Sequence, residues 1–190
     1  MLYYRDPCDP ELSTKTKHMK IASVILICLS LAIAKVTFSQ DYIVPANYKL
    51  ESKEDYTKYE KDIIGAAKWL LTTPFDEQQE KRKEVSAFVA KWINGSPTVN
   101  VEINPTIMDF EKKNPGMLVL YMASSAKYVL ENNYSKDMRA KHKAALHDMI
   151  GVYQKGTAIK KDKKMEKLIE SDAKGKIDEW LDSNLKIEGR

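Results

Sequence analysis

Cysteine is nearly missing from this chain of 190 residues. There are two, Cys8 and Cys28, and both lie in the first thirty positions. The remainder has no disulfide to hold it and no thiol nucleophile, so its stability must come from packing. Histidine is scarce as well, and the glycines from residue 40 onward stand singly. Isolated glycines exclude the clustered loops that cradle phosphates. Charge of one sign is also lacking. From Gln40 onward 26 basic residues face 24 acidic ones, which leaves +2 and no strong pull towards nucleic acid.

One long apolar run is present, Ile21 to Ala34. Its 14 residues fall short of the roughly 20 that a membrane-spanning helix needs. Lys15, Lys17 and Lys20 precede it, and Lys35 and the small-x-small triplet Thr37-Phe38-Ser39 follow. That order is a secretory signal peptide over 19–39, cut between Ser39 and Gln40, with a cut after Ala34 as second choice. No permanent anchor is expected. Met19 reads as the true start, and 1–18 as an over-extended frame or a disordered extension. An exported chain without disulfides suits a bacterial periplasm or outer surface. The tail 184–190 ends in Ile-Glu-Gly-Arg, which matches a protease recognition sequence and is left out of the functional reading.

The exported part has the length of one domain, an extended segment over 40–51 and a helical domain over 52–183. Tyr59, Ile63, Ala66, Ala67 and Leu70 recur at helical spacing behind Ser52 as N-cap, and Thr72-Thr73-Pro74 stops that helix. Asp76 and Gln79 have the spacing of a capping box for a second helix carrying Val85, Phe88, Val89, Trp92 and Ile93. Gly95 should end it in the left-handed conformation. Asn104-Pro105 and Asn114-Pro115 each set an N-cap before a proline. The helix after the second, "GMLVLYMASSAKYVL", is apolar nearly all round and belongs at the centre of the core. Asn132-Asn133 close it and Ser135 should cap the next, whose stripe is Met138, His142, Ala145, Met149 and Val152. A last region over 162–181 breaks at Gly175. The expected fold is an all-α, single-domain bundle of five or six helices built from αα-hairpins, with one short extended connector at about 98–103.

Chemistry has few places to sit. His142 and His147 are five apart, which turns them away from each other on a helix, so no shared metal is expected. His147 and Asp148 are neighbours and cannot pair as a triad does. Ser124 and Ser125 lie in an apolar helix without a nucleophile elbow. The run Lys160 to Lys167 is interleaved with acids and reads as a solvated face. No catalytic residue, metal ligand or cofactor is assigned.

The connector is different in kind. Val99, Val101 and Ile103 alternate with Asn100, Glu102 and Asn104, so the valine side should cover the core. The polar side has no structural duty visible in the sequence beyond a cap at Asn104. Asn100, Glu102 and Asn104 are therefore the candidate partner-binding residues, and an unpaired edge could accept a strand from another chain. The segment "FVAKWINGSPTVNVEIN", with "NPGMLVLYMASSAKYVLEN" downstream, resembles a group of exported Gram-negative proteins carrying a W-x-x-G-S-P-x-V segment between helices. The group has no assigned activity. The resemblance implies export and a helical fold, and it carries no catalytic residue across.

The functional expectation is a non-enzymatic envelope or secreted module that binds an envelope protein. Two rivals stay open. A carboxylate-dependent hydrolase of envelope polymers requires two acids facing each other in a cleft, one with a raised pKa. A carrier of a small apolar ligand requires a cavity lined by residues such as Tyr121, Tyr128, Met108, Met117, Met122, Met138, Met149 and Met165.

Overall fold

Ser52 opens the helical part with a reciprocal cap. Its hydroxyl accepts from the Asp55 N–H, and the Asp55 carboxylate accepts from the Ser52 N–H at 3.1 Å. The computed structural model describes residues 41–156, 158–185 and 187. The expectations for 1–18, for the signal peptide 19–39 and for cleavage between Ser39 and Gln40 lie outside the described residues, as does most of the tail. The described chain contains eight helices and no strand: α1 (Lys53–Lys58), α2 (Glu60–Thr72), α3 (Gln79–Gly95), α4 (Pro105–Lys113), α5 (Met117–Glu131), α6 (Met138–Lys155), α7 (Lys163–Ala173) and α8 (Ile177–Leu185). None of these is long and apolar enough to cross a membrane. The excess over five or six has two sources. The backbone breaks at Tyr59, which divides the first expected helix, and Gly175 at φ 69° divides the last region.

α5 packs against α2, α3, α4 and α6. Ala123, Ser124, Ser125 and Ala126 are consecutive and all fully buried, so at this turn every side of the helix is covered. Small side chains permit that close approach. Trp92, Phe88, Ile63, Leu70, Met149 and Leu146 complete the surrounding core. α8 closes one end, resting on α6 and α7.

Several caps differ from the expectation, because other groups take the expected residues or their places. Asn104 caps α4 as expected, with its Oδ1 accepting from the Ile107 N–H at 3.0 Å. Asn114 does not cap α5. Its side chain bridges to the Lys160 backbone, donating at 2.9 Å and accepting at 2.7 Å. α5 starts instead after Gly116 at φ 105°, and the Glu111 carboxylate takes the orphan N–H groups of Gly116 and Leu118 at 2.9 and 2.8 Å. Asp76 is not the N-cap residue of α3, which begins behind Gln78 in the left-handed conformation. The turn is organised by buried Arg82, whose guanidinium donates to the carbonyls of Leu70, Thr73 and Pro74. Asp137, rather than Ser135, caps α6, while the Ser135 hydroxyl accepts from the Asp137 N–H.

Candidate functional site

The connector begins where α3 stops. Ser96 Oγ accepts from the N–H groups of Thr98 and Val99 at 3.3 and 3.2 Å, and Pro97 between them has no N–H to extend the helix. Gly95 is still helical and does not take the left-handed conformation expected of it. Its smallness serves another purpose. A Cβ there would lie 1.9 Å from Tyr56 Oη and 2.6 Å from Tyr56 Cζ.

Beyond Pro97 the chain runs without helix or strand to Asn104, whose own backbone is extended. Val99 is buried and Val101 half-buried against the core, but Ile103 is 42% exposed and does not continue the covering row. Ile103 stands at N′ and Met108 at N4 of α4, the two positions of a hydrophobic staple, and both are exposed.

The polar row turns out to be tied to the fold. The Asn100 carbonyl accepts from Lys141 Nζ at 2.9 Å. The Glu102 carboxylate forms an ion pair with the same ammonium and accepts from Asn100 Nδ2 at 2.9 Å. The Glu102 carbonyl accepts from Tyr121 Oη at 3.2 Å. Asn104 adds to its cap an Nδ2 that reaches the Asn184 and Leu185 carbonyls at 3.5 Å. All three residues thus have intramolecular partners, including the two left without structural duty in the sequence.

Lys141 is the hub. It is 3% exposed, and its three N–H groups go to the Asn100 carbonyl, Glu102 and Met138 Sδ, the last at 3.3 Å. A buried ammonium is tolerated where it is both paired and fully hydrogen-bonded. Sequence reasoning missed it, although a signal existed. Lys141 is three residues after Met138 and four before Ala145, so it lies beside the apolar stripe of α6.

His142 was placed correctly on that stripe and is 4% exposed. Its Nδ1 hydrogen-bonds to Tyr121 Oη, with the two rings stacked at 6.0 Å. The Glu102 carbonyl can only accept, so the Tyr121 hydroxyl donates to it and receives the His142 Nδ1–H. Burial pushes the Tyr121 phenol well above its ordinary range, and the nearby Glu102 charge pushes it further. Burial lowers the His142 pKa, the Lys141 charge lowers it again, and Glu102 acts in the opposite sense. Both leading effects favour the neutral imidazole; with the Tyr121 proton given to the Glu102 carbonyl, the ring proton sits on Nδ1 and Nε2 is bare.

Two clefts flank this network. One, of about 430 Å³, is lined by Thr98, Asn100 and Glu102 of the connector together with Tyr134, Lys136, Met138 and Lys141. The other, of about 440 Å³, is lined by Glu102, Ile103 and Asn104 with Met138, His142, Leu185 and Ile187. Every even-numbered connector residue from 98 to 104 lines one cleft or the other, and Glu102 and Met138 form the wall between them. Tyr134, 47% exposed at the rim of the first, follows Asn133, and both hold positive φ of 55° and 52°. A tyrosine in that conformation is strained, and such strain collects at working surfaces.

The other candidates have simpler explanations. His147 Nε2 lies 2.9 Å from Asp172. Asp148 pairs with Lys127 at 2.8 Å and with fully buried Ser124, linking α5 to α6. Lys164 of the basic run pairs with Asp109. Met117, Met149, Met165 and Tyr121 are buried in the core, whereas Met108 is exposed. Carboxylates with displaced pKa values, Asp55, Asp109, Glu170 and Asp178, all move downward. In Asp109 the hydrogen bond from Lys112 leads, bringing it to about 2. Among the described residues no group of three or more histidines, cysteines and acids could hold a metal ion.

Comparison with protein-family models, with curated proteins and with solved structures gives no match, so the meaning of this site rests on its own geometry.

Proposed function

We propose that this chain is an exported, non-enzymatic binding module built on αα-hairpins, which recognises another envelope protein with the face formed by the connector and the start of α6. One observation carries the reading: the even-numbered connector residues line two adjacent clefts while their backbone is pinned from beneath by Lys141 and Tyr121. A recognition surface needs side chains on a rigid support, because ordering a loose segment on binding costs affinity. The ion pair of buried Lys141 with half-exposed Glu102 supplies that support. The rim is also chemically mixed, with exposed Tyr134, Ile103 and Lys136 beside polar Asn100 and Glu102, as partner-binding surfaces commonly are.

Site-specific photo-crosslinking tests the proposal. A photoreactive residue at Thr98 or Lys136 should give one discrete adduct in an envelope extract, and the same residue at Glu80 or Lys174 should not. Equal labelling from all four positions would defeat the reading. So would turnover of an envelope polymer by the purified protein that disappears when one acidic residue is changed.

A further inference from the structure

The cleft that contains His142 can be read for the chemistry of its occupant, an inference that rests on the binding-face reading above. Its apolar walls are Ile103, Met138, Leu185 and Ile187. Its charges cancel, since Glu102 is paired with Lys141. A neutral apolar occupant therefore loses little by entering, while a charged one would give up hydration without gaining an unpaired counter-charge.

Of the remaining polar residues, Asn104 is committed to the cap of α4 and to the Asn184 and Leu185 carbonyls, which leaves His142. The ring turns Nδ1 inward to Tyr121, and the two nitrogens of an imidazole point in widely different directions. Nε2 has no hydrogen-bond partner among the described residues, and it is not one of the sealed, unpartnered side-chain atoms of the core. Its outlet is the cleft that His142 lines. With the single Tyr121 proton given to the Glu102 carbonyl, the His142 proton is on Nδ1, so what Nε2 offers is an acceptor. Glu102 and Asn104 already have partners, so Nε2 is the unpartnered acceptor among the described residues of this cleft, and beside the apolar walls it selects an apolar group with a single donor.

We propose that this cleft receives an aromatic side chain bearing one N–H or O–H donor, a tryptophan or tyrosine of the partner protein, with His142 Nε2 as the acceptor. A ring suits the site for two further reasons. The thioether of Met138 makes favourable contacts with aromatic edges. A volume of about 440 Å³ also lies within the range that holds a compact ring system with its linker. Tyrosine and tryptophan are the residues that most often anchor interfaces through such a pocket.

The test follows the His142 ring by NMR in the purified protein. Three probes are titrated: a blocked neutral tripeptide with central tryptophan, the same peptide with N1-methyltryptophan, and free indole. The free protein should show the less common Nδ1–H tautomer. The tryptophan peptide should shift the ring nitrogens, and the N-methyl peptide should bind about five- to tenfold more weakly, the usual worth of one hydrogen bond. His142→Phe, which keeps a ring and removes the acceptor, should abolish that difference. The two peptides compared on unaltered protein decide the question even if this variant folds poorly. A proton on Nε2, equal binding of the two peptides, or no response at His142 would each overturn the proposal. Free indole binding as tightly as the tryptophan peptide would overturn the assignment to a partner's side chain. Crosslinking that succeeds while these titrations fail would leave the binding face standing and remove the ring pocket.

Discussion

Replacing Gly95 by alanine sets two physical effects against each other. On helix propensity alone the change stabilises, because glycine within a helix is about 1 kcal/mol worse than alanine. Gly95 is the last residue of α3, so that figure is an upper limit. Against it stands Tyr56. The new methyl would lie 1.9 Å from Oη and 2.6 Å from Cζ, so the ring itself has to move and not only its hydroxyl. The ring is held from three directions. Its Oη donates to the Leu50 carbonyl at 3.3 Å, its own backbone carbonyl accepts from Trp92 Nε1 at 2.9 Å, and it sits against the Trp92 ring at 6.2 Å. Overpacking of this kind costs about 1–3 kcal/mol, and a broken hydrogen bond adds about 1. The expected net is a destabilisation of about 1–3 kcal/mol, read as a lower urea midpoint at unchanged slope. In a Tyr56→Leu background the obstacle is gone, and Gly95→Ala should become neutral or mildly stabilising. If Gly95→Ala stabilises the otherwise unaltered protein, the close approach does not constrain this glycine and the reasoning fails.

Three further outcomes follow from the same geometry. Lys141→Met removes the ammonium that holds the Asn100 carbonyl and Glu102, at a cost of about 2–3 kcal/mol, and limited proteolysis should then cut first within 98–103. Unchanged protease resistance there would show that the connector stays pinned without Lys141. Glu111→Ala strips the acceptor from the first N–H groups of α5 and should cost about 1–2 kcal/mol in chemical denaturation, whereas a neutral result would deny it the capping role. The pH dependence has a definite sign. His142 is lowered in the folded state, so the unfolded chain binds the extra proton first and stability falls as pH drops below about 6.5, levelling off once the folded state protonates too. The groups facing that ring are Tyr121, Lys141 and Glu102, and His142→Phe should remove this acid-side loss in unfolding curves collected from pH 7 to 5.

What could be read from the sequence was what depends on near neighbours. Ser52 and Asn104 cap through residues three positions on, Pro74 stops α2, and Gly175 breaks the last region by its own conformational freedom. The centre of the core was legible in α5 for a related reason, since a helix apolar all round leaves no face for water. Several failures have the opposite cause. Asn114 had the spacing of a cap, but a backbone 46 residues away claims its side chain, and the capping passes to Glu111. Gly95 was correctly seen as a point that needs glycine and wrongly explained, because Tyr56 is 39 positions earlier in the chain. At the site, His142 was placed on its stripe, but the roles of Lys141 and Tyr121 depend on contacts with a connector 41 and 19 residues away.

Intramolecular partners for Asn100, Glu102 and Asn104 do not exclude an outside one. Side chains and carbonyls leave a backbone in different directions, so an anchor on the carbonyls of Asn100 and Glu102 leaves their side chains at the clefts. Lys141 and Tyr121 take those carbonyls from within. The side chains remain at the clefts, and Glu102 is still 39% exposed although it is ion-paired. A charge held this way is already oriented when a partner arrives, and its ordering cost has been met by folding. The separation also makes a distinction between variants. Glu102→Gln keeps the backbone carbonyl for Tyr121 and a hydrogen-bond acceptor for Lys141, so it should disturb the fold less than Lys141→Met. If the face binds, the same change should weaken crosslinking from Thr98, while an equal loss of stability in both variants would assign Glu102 to the fold alone.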